Sequence, residues 1–168
     1  LAGGRQSVSP RAVDPTVHGE RSLEAQRPLA DAGRVSLAAA LPDGLPEVWA
    51  DPDRFTQLLS NLIGNAIKFT PPEGAVSLSA HVDGEEALFV VTDTGEGIAA
   101  DQLPHVFERF FQVSRDARRV IRHGAGLGLP ISRGIVEAHG GNIWIESTLG
   151  AGTSVRFSIP LARGDVAP

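Results

Sequence analysis

Asn61, Asn65 and Lys68 stand at i, i+4 and i+7 within D-P-D-R-F-T-Q-L-L-S-N-L-I-G-N-A-I-K-F, residues 51–69. On a helix, at about 100° per residue, they form one polar stripe. Phe55, Leu58, Leu59, Leu62, Ile63, Ala66 and Phe69 form an apolar arc beside that stripe, not opposite it. The two amides and the ammonium therefore sit at the rim of a buried face, where a cleft can open. Lys68 is the only lysine in the chain; every other basic residue of that class is arginine. Amide oxygens suit a hard cation such as Mg²⁺, and a lone ammonium beside them suits a phosphate. The solvated flank of a core helix accounts for the same pattern, so these residues alone do not decide.

Two glycine-rich stretches add to this. Asp93 is followed by Thr94-Gly95-Glu96-Gly97-Ile98, where glycines let backbone approach a ligand closely. A carboxylate so placed can accept from an exocyclic amine such as that of adenine; an ordinary Asp-x-Gly turn is the plainer alternative. Gly124-Ala125-Gly126-Leu127-Gly128-Leu129 opens a helical pattern, and the N–H groups of such a loop favour phosphate. It is not the dinucleotide fingerprint G-x-G-x-x-G, because its third glycine comes one residue early. Walker-type loops and the H-R-D and D-F-G pair are absent too.

The elements that must carry these residues can be read in outline. Asp51 and Pro52 are a helix cap and a first-turn proline, and Pro71-Pro72-Glu73-Gly74 stops that helix. Residues 1–12 have linker composition, and 14–32 allow an amphipathic helix, weakened by Gly19 and Pro28. Strands are expected over 34–40, 48–50, 75–82, 87–93, 143–145 and 154–159. Asp83-Gly84-Glu85 makes a hairpin turn, and the nearly continuous apolar run 88–91 belongs to a central strand. A short helix is expected over 101–106, a basic mobile loop over 112–123, and a helix from the second glycine cluster to His139, ended by Gly140-Gly141. The domain spans 13–162, with 163–168 a tail.

Composition excludes several classes. The 168 residues contain no cysteine, hence no disulfide and no thiolate metal site. Five histidines without H-x-x-x-H spacing argue against zinc. A net charge of −5 argues against nucleic acid as a partner. No apolar run reaches membrane-spanning length and no signal peptide opens the chain, so a cytoplasmic location is expected. A first residue of Leu1 suggests a piece of a longer protein, whose membrane anchor, if it has one, lies outside.

Taken jointly, N-x-x-x-N-x-x-K, D-x-G-x-G, F-x-x-F-F, G-x-G-L-G-L and G-T-x-x-x-F occur once each, in that order. The set closely resembles the ATP-binding catalytic domain of sensor histidine kinases, in the superfamily that also holds gyrase, mismatch-repair and heat-shock chaperone ATPases. The resemblance covers about residues 46–161. It implies an α/β two-layer sandwich, a mixed and mostly antiparallel sheet with helices on one face. It also implies ATP and Mg²⁺ as ligands. Asn65 would ligate Mg²⁺, with Asn61 and Lys68 on the phosphates. Asp93 would read the adenine amine, and Gly95, Gly97 and Ile98 would shape the base pocket. Phe107, Phe110 and Phe111 would hold the near end of an ATP lid. Gly124, Gly126, Leu127 and Gly128 would hinge that lid and cradle phosphate, while Gly152, Thr153 and Phe157 would lie next to the adenine.

Two departures from the family pattern stand out. Gln112 replaces a basic residue that many relatives carry after the aromatic pair, leaving Arg115, Arg118, Arg119 or Arg122 to supply that charge. The phosphoacceptor motif is missing, since His18-Gly19-Glu20 does not match it. The implied activity is therefore that of a catalytic domain in two-component signal transduction. It would pass the γ-phosphate of ATP to a histidine on a separate helical domain, with a response regulator downstream. The rival readings are a hydrolytic ATPase of the same superfamily and a non-catalytic nucleotide-sensing module. Hydrolytic relatives place a glutamate four residues before the Mg²⁺-ligating Asn; here that position is Asn61.

Overall fold

The computed structural model describes residues 7–107 and 129–163. The amphipathic stretch folds as helix α2, Pro52–Lys68. The Asp51 side chain caps it by accepting from the backbone N–H groups of Asp53 and Arg54, with proline in the first turn. Asp53 near its start and Lys68 near its end both suit the helix dipole. Phe55, Leu58, Leu59, Leu62 and Ile63 are essentially fully buried, and Ala66 and Ile67 nearly so. Each of the large ones contributes about 1.5–3 kcal/mol by leaving water.

Helix α2 packs between two other helices, α1 (Pro15–Ala32) and α3 (Leu129–Ala138). Asp14 caps α1 as Asp51 caps α2. The expected weakness at Gly19 has a structural cause: a Cβ there would lie 2.8 Å from Leu41 Cδ1 and 3.1 Å from Leu78 Cδ2. Glycine lets α1 settle this closely on the sheet without displacing those two leucine side-chain ends.

Among the described residues the sheet has five strands: β2 (Ser36–Ala40), β4 (Ala75–Asp83), β5 (Glu86–Asp93), β6 (Ile143–Thr148) and β7 (Gly152–Pro160). Their order is β2-β4-β5-β7-β6. Only β2 and β4 run parallel; the other neighbours are antiparallel. The central position of β5 explains its continuous apolar run. Val76, Leu78, Phe89, Val91, Phe157 and Ile159 form the inner face, buried against the helices. Phe55 of α2 meets Phe89 edge-on at 5.5 Å.

The remaining strands, β1 (Arg11–Val13) and β3 (Val48–Ala50), form a separate antiparallel pair. Arg11 and Ala12 were expected at the end of a tail. They pair instead with Ala50 and Trp49, and Ser9 N–H donates to Asp51 Oδ2 at 2.9 Å. The first sheet strand starts at Ser36, not 34, because Arg34 turns the chain at φ 56 after the helix cap. The β6–β7 hairpin is longer than expected, with Thr148 paired to Gly152. The expected short helix is a single 3₁₀ turn, Leu103–His105. Finally, Asp51 N–H donates to His139 Nε2 at 3.0 Å while His139 Nδ1 meets the Ile135 carbonyl at 2.8 Å. A ring carrying its proton on Nδ1 satisfies both and ties the end of α3 to the start of α2.

Candidate functional site

Register on the inner face of β5, β7 and β6 builds the site as three rungs. The first, Phe89–Phe157–Ile143, belongs to the core. Its two aromatic rings stack 4.9 Å apart at 13°. The second rung is Val91–Val155–Ile145 and the third is Asp93–Thr153–Ser147. Because side chains alternate along a strand, two residues of travel move the same face from core, through an apolar step, to a polar end.

Above the second and third rungs lies an open cleft, about 620 Å³ when the solvent at its mouth is counted. Leu62, Asn65, Ala66 and Phe69 of α2 form one wall, Glu96, Gly97 and Ile98 another, and Leu129 at the start of α3 also lines it. Val91, Val155 and Ile145 line its apolar part, and Asp93 and Thr153 its polar part. A mostly apolar slot with a few convergent polar groups is the usual form of a small-molecule site.

Asp93 is partly buried, and Gly95 N–H donates to its Oδ1 at 2.8 Å. Burial pushes its carboxyl above the usual aspartate value, opposed by the backbone N–H groups of Gly95 and Thr153. Loss of water disfavours the charged form, and the two donors restore part of that loss. The glycine loop is fastened to the β6–β7 hairpin. Gly97 has φ 78, and a Cβ there would lie 2.2 Å from the Thr148 carbonyl oxygen, so no other residue fits. Gly150 N–H donates to Glu96 O at 2.6 Å, and Ile98 N–H donates to Ser147 Oγ at 2.8 Å.

Of the residues singled out from the sequence, Asn65, Asp93, Gly97, Ile98 and Thr153 line the cleft together. Gly95 joins them through its bond to Asp93. Asn61 lies one turn earlier on α2, partly buried, and does not line the cleft. Lys68 is exposed at the helix end, its Nζ 5.8 Å from the centroid of the Phe69 ring. Phe157 was expected next to the ligand, yet it is fully buried in the first rung and stacked on Phe89. Phe107 packs against the core beneath the Arg133 guanidinium, which lies 5.5 Å from its ring centroid. Phe110, Phe111, Gly124, Gly126, Leu127 and Gly128, with Gln112 and the arginines 115–122, lie outside the described residues.

A scan for known families matches residues 50–163 to the histidine kinase-, DNA gyrase B-, and HSP90-like ATPase family. The chain belongs to this family. Among histidine kinase-like relatives, the adaptive-response sensory kinase SasA of Synechococcus elongatus is 41% identical over 128 residues, covering 76% of this chain and 32% of SasA. The sensor histidine kinase WalK of Bacillus subtilis is 42% identical over 128 residues, covering 75% of this chain and 21% of WalK. The chain thus spans a third or less of the length of these two relatives. A crystal structure of full-length ShkA in complex with AMPPNP superposes with a TM-score of 0.81 at 36% identity, covering 95% of this chain and 32% of ShkA. The mycobacterial sensor histidine kinase MprB gives a TM-score of 0.76 at 28% identity, over 91% of this chain and 98% of that one. The sandwich, with a mixed sheet and three α-helices among the described residues, is thus the family's fold.

Sequence reasoning missed Leu62, Ala66, Phe69, Val91, Glu96, Leu129, Ile145 and Val155 as cleft residues, and missed Ser147. Leu62, Ala66 and Phe69 had been read as core. Val91, Ile145, Val155 and Ser147 follow from strand register, which the order of motifs along the chain does not give, while Glu96 lies in the glycine loop and Leu129 at the start of α3. Among the described residues, no group of three or more His, Cys, Asp or Glu could hold a metal, and no helix is long and apolar enough to cross a membrane.

Proposed function

We propose that the cleft takes the base of Mg-ATP and that this chain is the catalytic, ATP-binding part of a sensor histidine kinase. The observation that carries this reading is the third rung lying above the second. An apolar step of Val91, Val155 and Ile145 suits the faces of a purine. The Asp93 carboxylate at its polar end suits an exocyclic amine.

The phosphates would then run along α2 toward the polar stripe. Asn65, on the cleft wall, offers an amide oxygen, while Asn61 and Lys68 flank it on the same helix. This donor set fits Mg²⁺ carried in by the nucleotide, because that ion keeps several waters and takes most of its other ligands from phosphate. When bound, Mg²⁺ would neutralise charge on the transferring phosphoryl group. The chain's own part is positioning: Asp93 and the glycine loop fix the base, α2 directs the phosphates, and the Lys68 ammonium faces their charge.

The phosphoryl acceptor would be a histidine on a separate helical domain, with a response regulator receiving the phosphate afterwards. A cytoplasmic site would give access to ATP. Asn61 favours transfer over hydrolysis, since a neutral amide can orient a water but cannot take its proton. Missing general-base help is worth about 10²–10⁴-fold. The test measures phosphate release by the chain with Mg-ATP, then adds a helical domain carrying the acceptor histidine. Slow release and ready transfer support the kinase. Brisk release abolished by Asn61→Ala, with no transfer, overturns it in favour of an ATPase.

A further inference from the structure

Ser147 ends the polar rung, yet it belongs to none of the sequence motifs. Its hydroxyl has three neighbours: Ile98 N–H at 2.8 Å, the Gly152 carbonyl at 3.0 Å and Thr153 Oγ1 at 2.7 Å. A hydroxyl has one proton to give and two lone pairs to accept with. The carbonyl of Gly152 can only accept and Ile98 N–H can only donate, so Ser147 gives its proton to Gly152 and accepts from Ile98. One lone pair remains, and it must face Thr153. The Thr153 hydroxyl therefore donates to Ser147, and its proton is turned away from the cleft. What Thr153 Oγ1 has left for a ligand is lone pairs and no proton.

Thr153 pairs with Asp93 across β5 and β7, and both line the cleft. Asp93 already accepts from Gly95 N–H, and ionised it has no proton to give. We propose that Ser147 is a positioning residue for base selection: by taking the Thr153 proton it makes that hydroxyl a second acceptor beside Asp93, so the polar end of the cleft selects purines carrying an exocyclic amine. This rests on the cleft being the nucleotide site and adds a mechanism for its choice of base. A site built to receive a donor rejects an analogue that lacks it, because its own groups are then left unpaired. The bond from Ile98 N–H makes the same serine hold the glycine loop in place, so one side chain sets both the loop and the direction of the Thr153 hydroxyl.

The experiment compares ATP with purine riboside triphosphate, which differs only in lacking the amine. Dissociation constants are measured by calorimetry for the wild-type chain, Ser147→Ala, Ser147→Thr and Thr153→Val, with folding checked by circular dichroism. The wild type should prefer ATP. Ser147→Ala frees the Thr153 proton and should shrink that preference about three- to tenfold, whereas Ser147→Thr, which keeps a hydroxyl, should retain it. If Ser147→Ala weakens both nucleotides by the same factor, the serine merely supports the loop and the proposal is overturned. Should Ser147→Ala not fold, Thr153→Val removes the same acceptor; an unchanged preference there overturns it equally. A wild-type chain that binds neither nucleotide overturns the nucleotide reading itself.

Discussion

Asp93→Asn should separate binding from stability. The carboxylate accepts from Gly95 N–H at 2.8 Å, and the nearby Thr153 backbone N–H also favours its charged form. In the variant the single amide oxygen is held by Gly95, and the new NH₂ takes the other oxygen's place, donor facing donor. Removing a charge-assisted acceptor from the amine costs about 1.5–3 kcal/mol, or roughly ten- to a hundredfold in ATP affinity. Stability should move the other way or not at all. Burial raises the Asp93 pKa above its ordinary 3.8, so its favourable contribution is complete below that value and is lost as pH rises through the folded value. At neutral pH the ionised side chain is held at a cost that asparagine does not carry. Calorimetric titration gives the affinity and a thermal melt without ligand gives the stability. The reasoning is refuted if affinity is unchanged. It is equally refuted if affinity and melting temperature fall together, for Asp93 would then act as a structural residue.

Two further substitutions probe the frame around the site. Phe157→Ala removes the stacked core ring and should cost about 3–5 kcal/mol in urea denaturation, while the folded fraction keeps its preference for ATP over purine riboside triphosphate. Asp51→Ala should cost about 0.5–2 kcal/mol through loss of the α2 cap. The Ser9 N–H, first among its partners, holds the Asp51 carboxyl below its ordinary 3.8. That contribution is therefore present above 3.8 and lost as pH falls through the lowered folded value. The stability gap between wild type and variant should close on acidification.

Much of this was legible in the sequence because the relevant signals are local. The α2 cap, its apolar arc and its polar stripe follow from residue types at helical spacing, and Asp93 with its glycines follows from a strand running into a turn. The β1–β3 pair was not legible, since a three-residue strand flanked by Pro10 and Pro15 carries no periodicity and gains its meaning from a partner some forty residues away. Nor was the floor of the cleft. Residues 91, 145 and 155 read as ordinary strand interior until strand order places them in one rung. Phe157 was misplaced for the same reason: it shares a motif with Thr153, but four residues along a strand take the same face from the cleft to the core. Ser147 has no local signal, and only its three partners reveal it.

The central claim is that the cleft between α2 and the β5–β7–β6 rungs is the nucleotide site. Amide chemical shifts of the isotopically labelled chain, followed while a non-hydrolysable Mg-ATP analogue is titrated in, test it most directly. The account predicts saturable shifts at Gly95, Gly97, Ile98 and Thr153 and at the Asn65 side-chain amide, with β1 and β3 unmoved. Saturable shifts centred on β1 and β3, with those five groups silent, would contradict it.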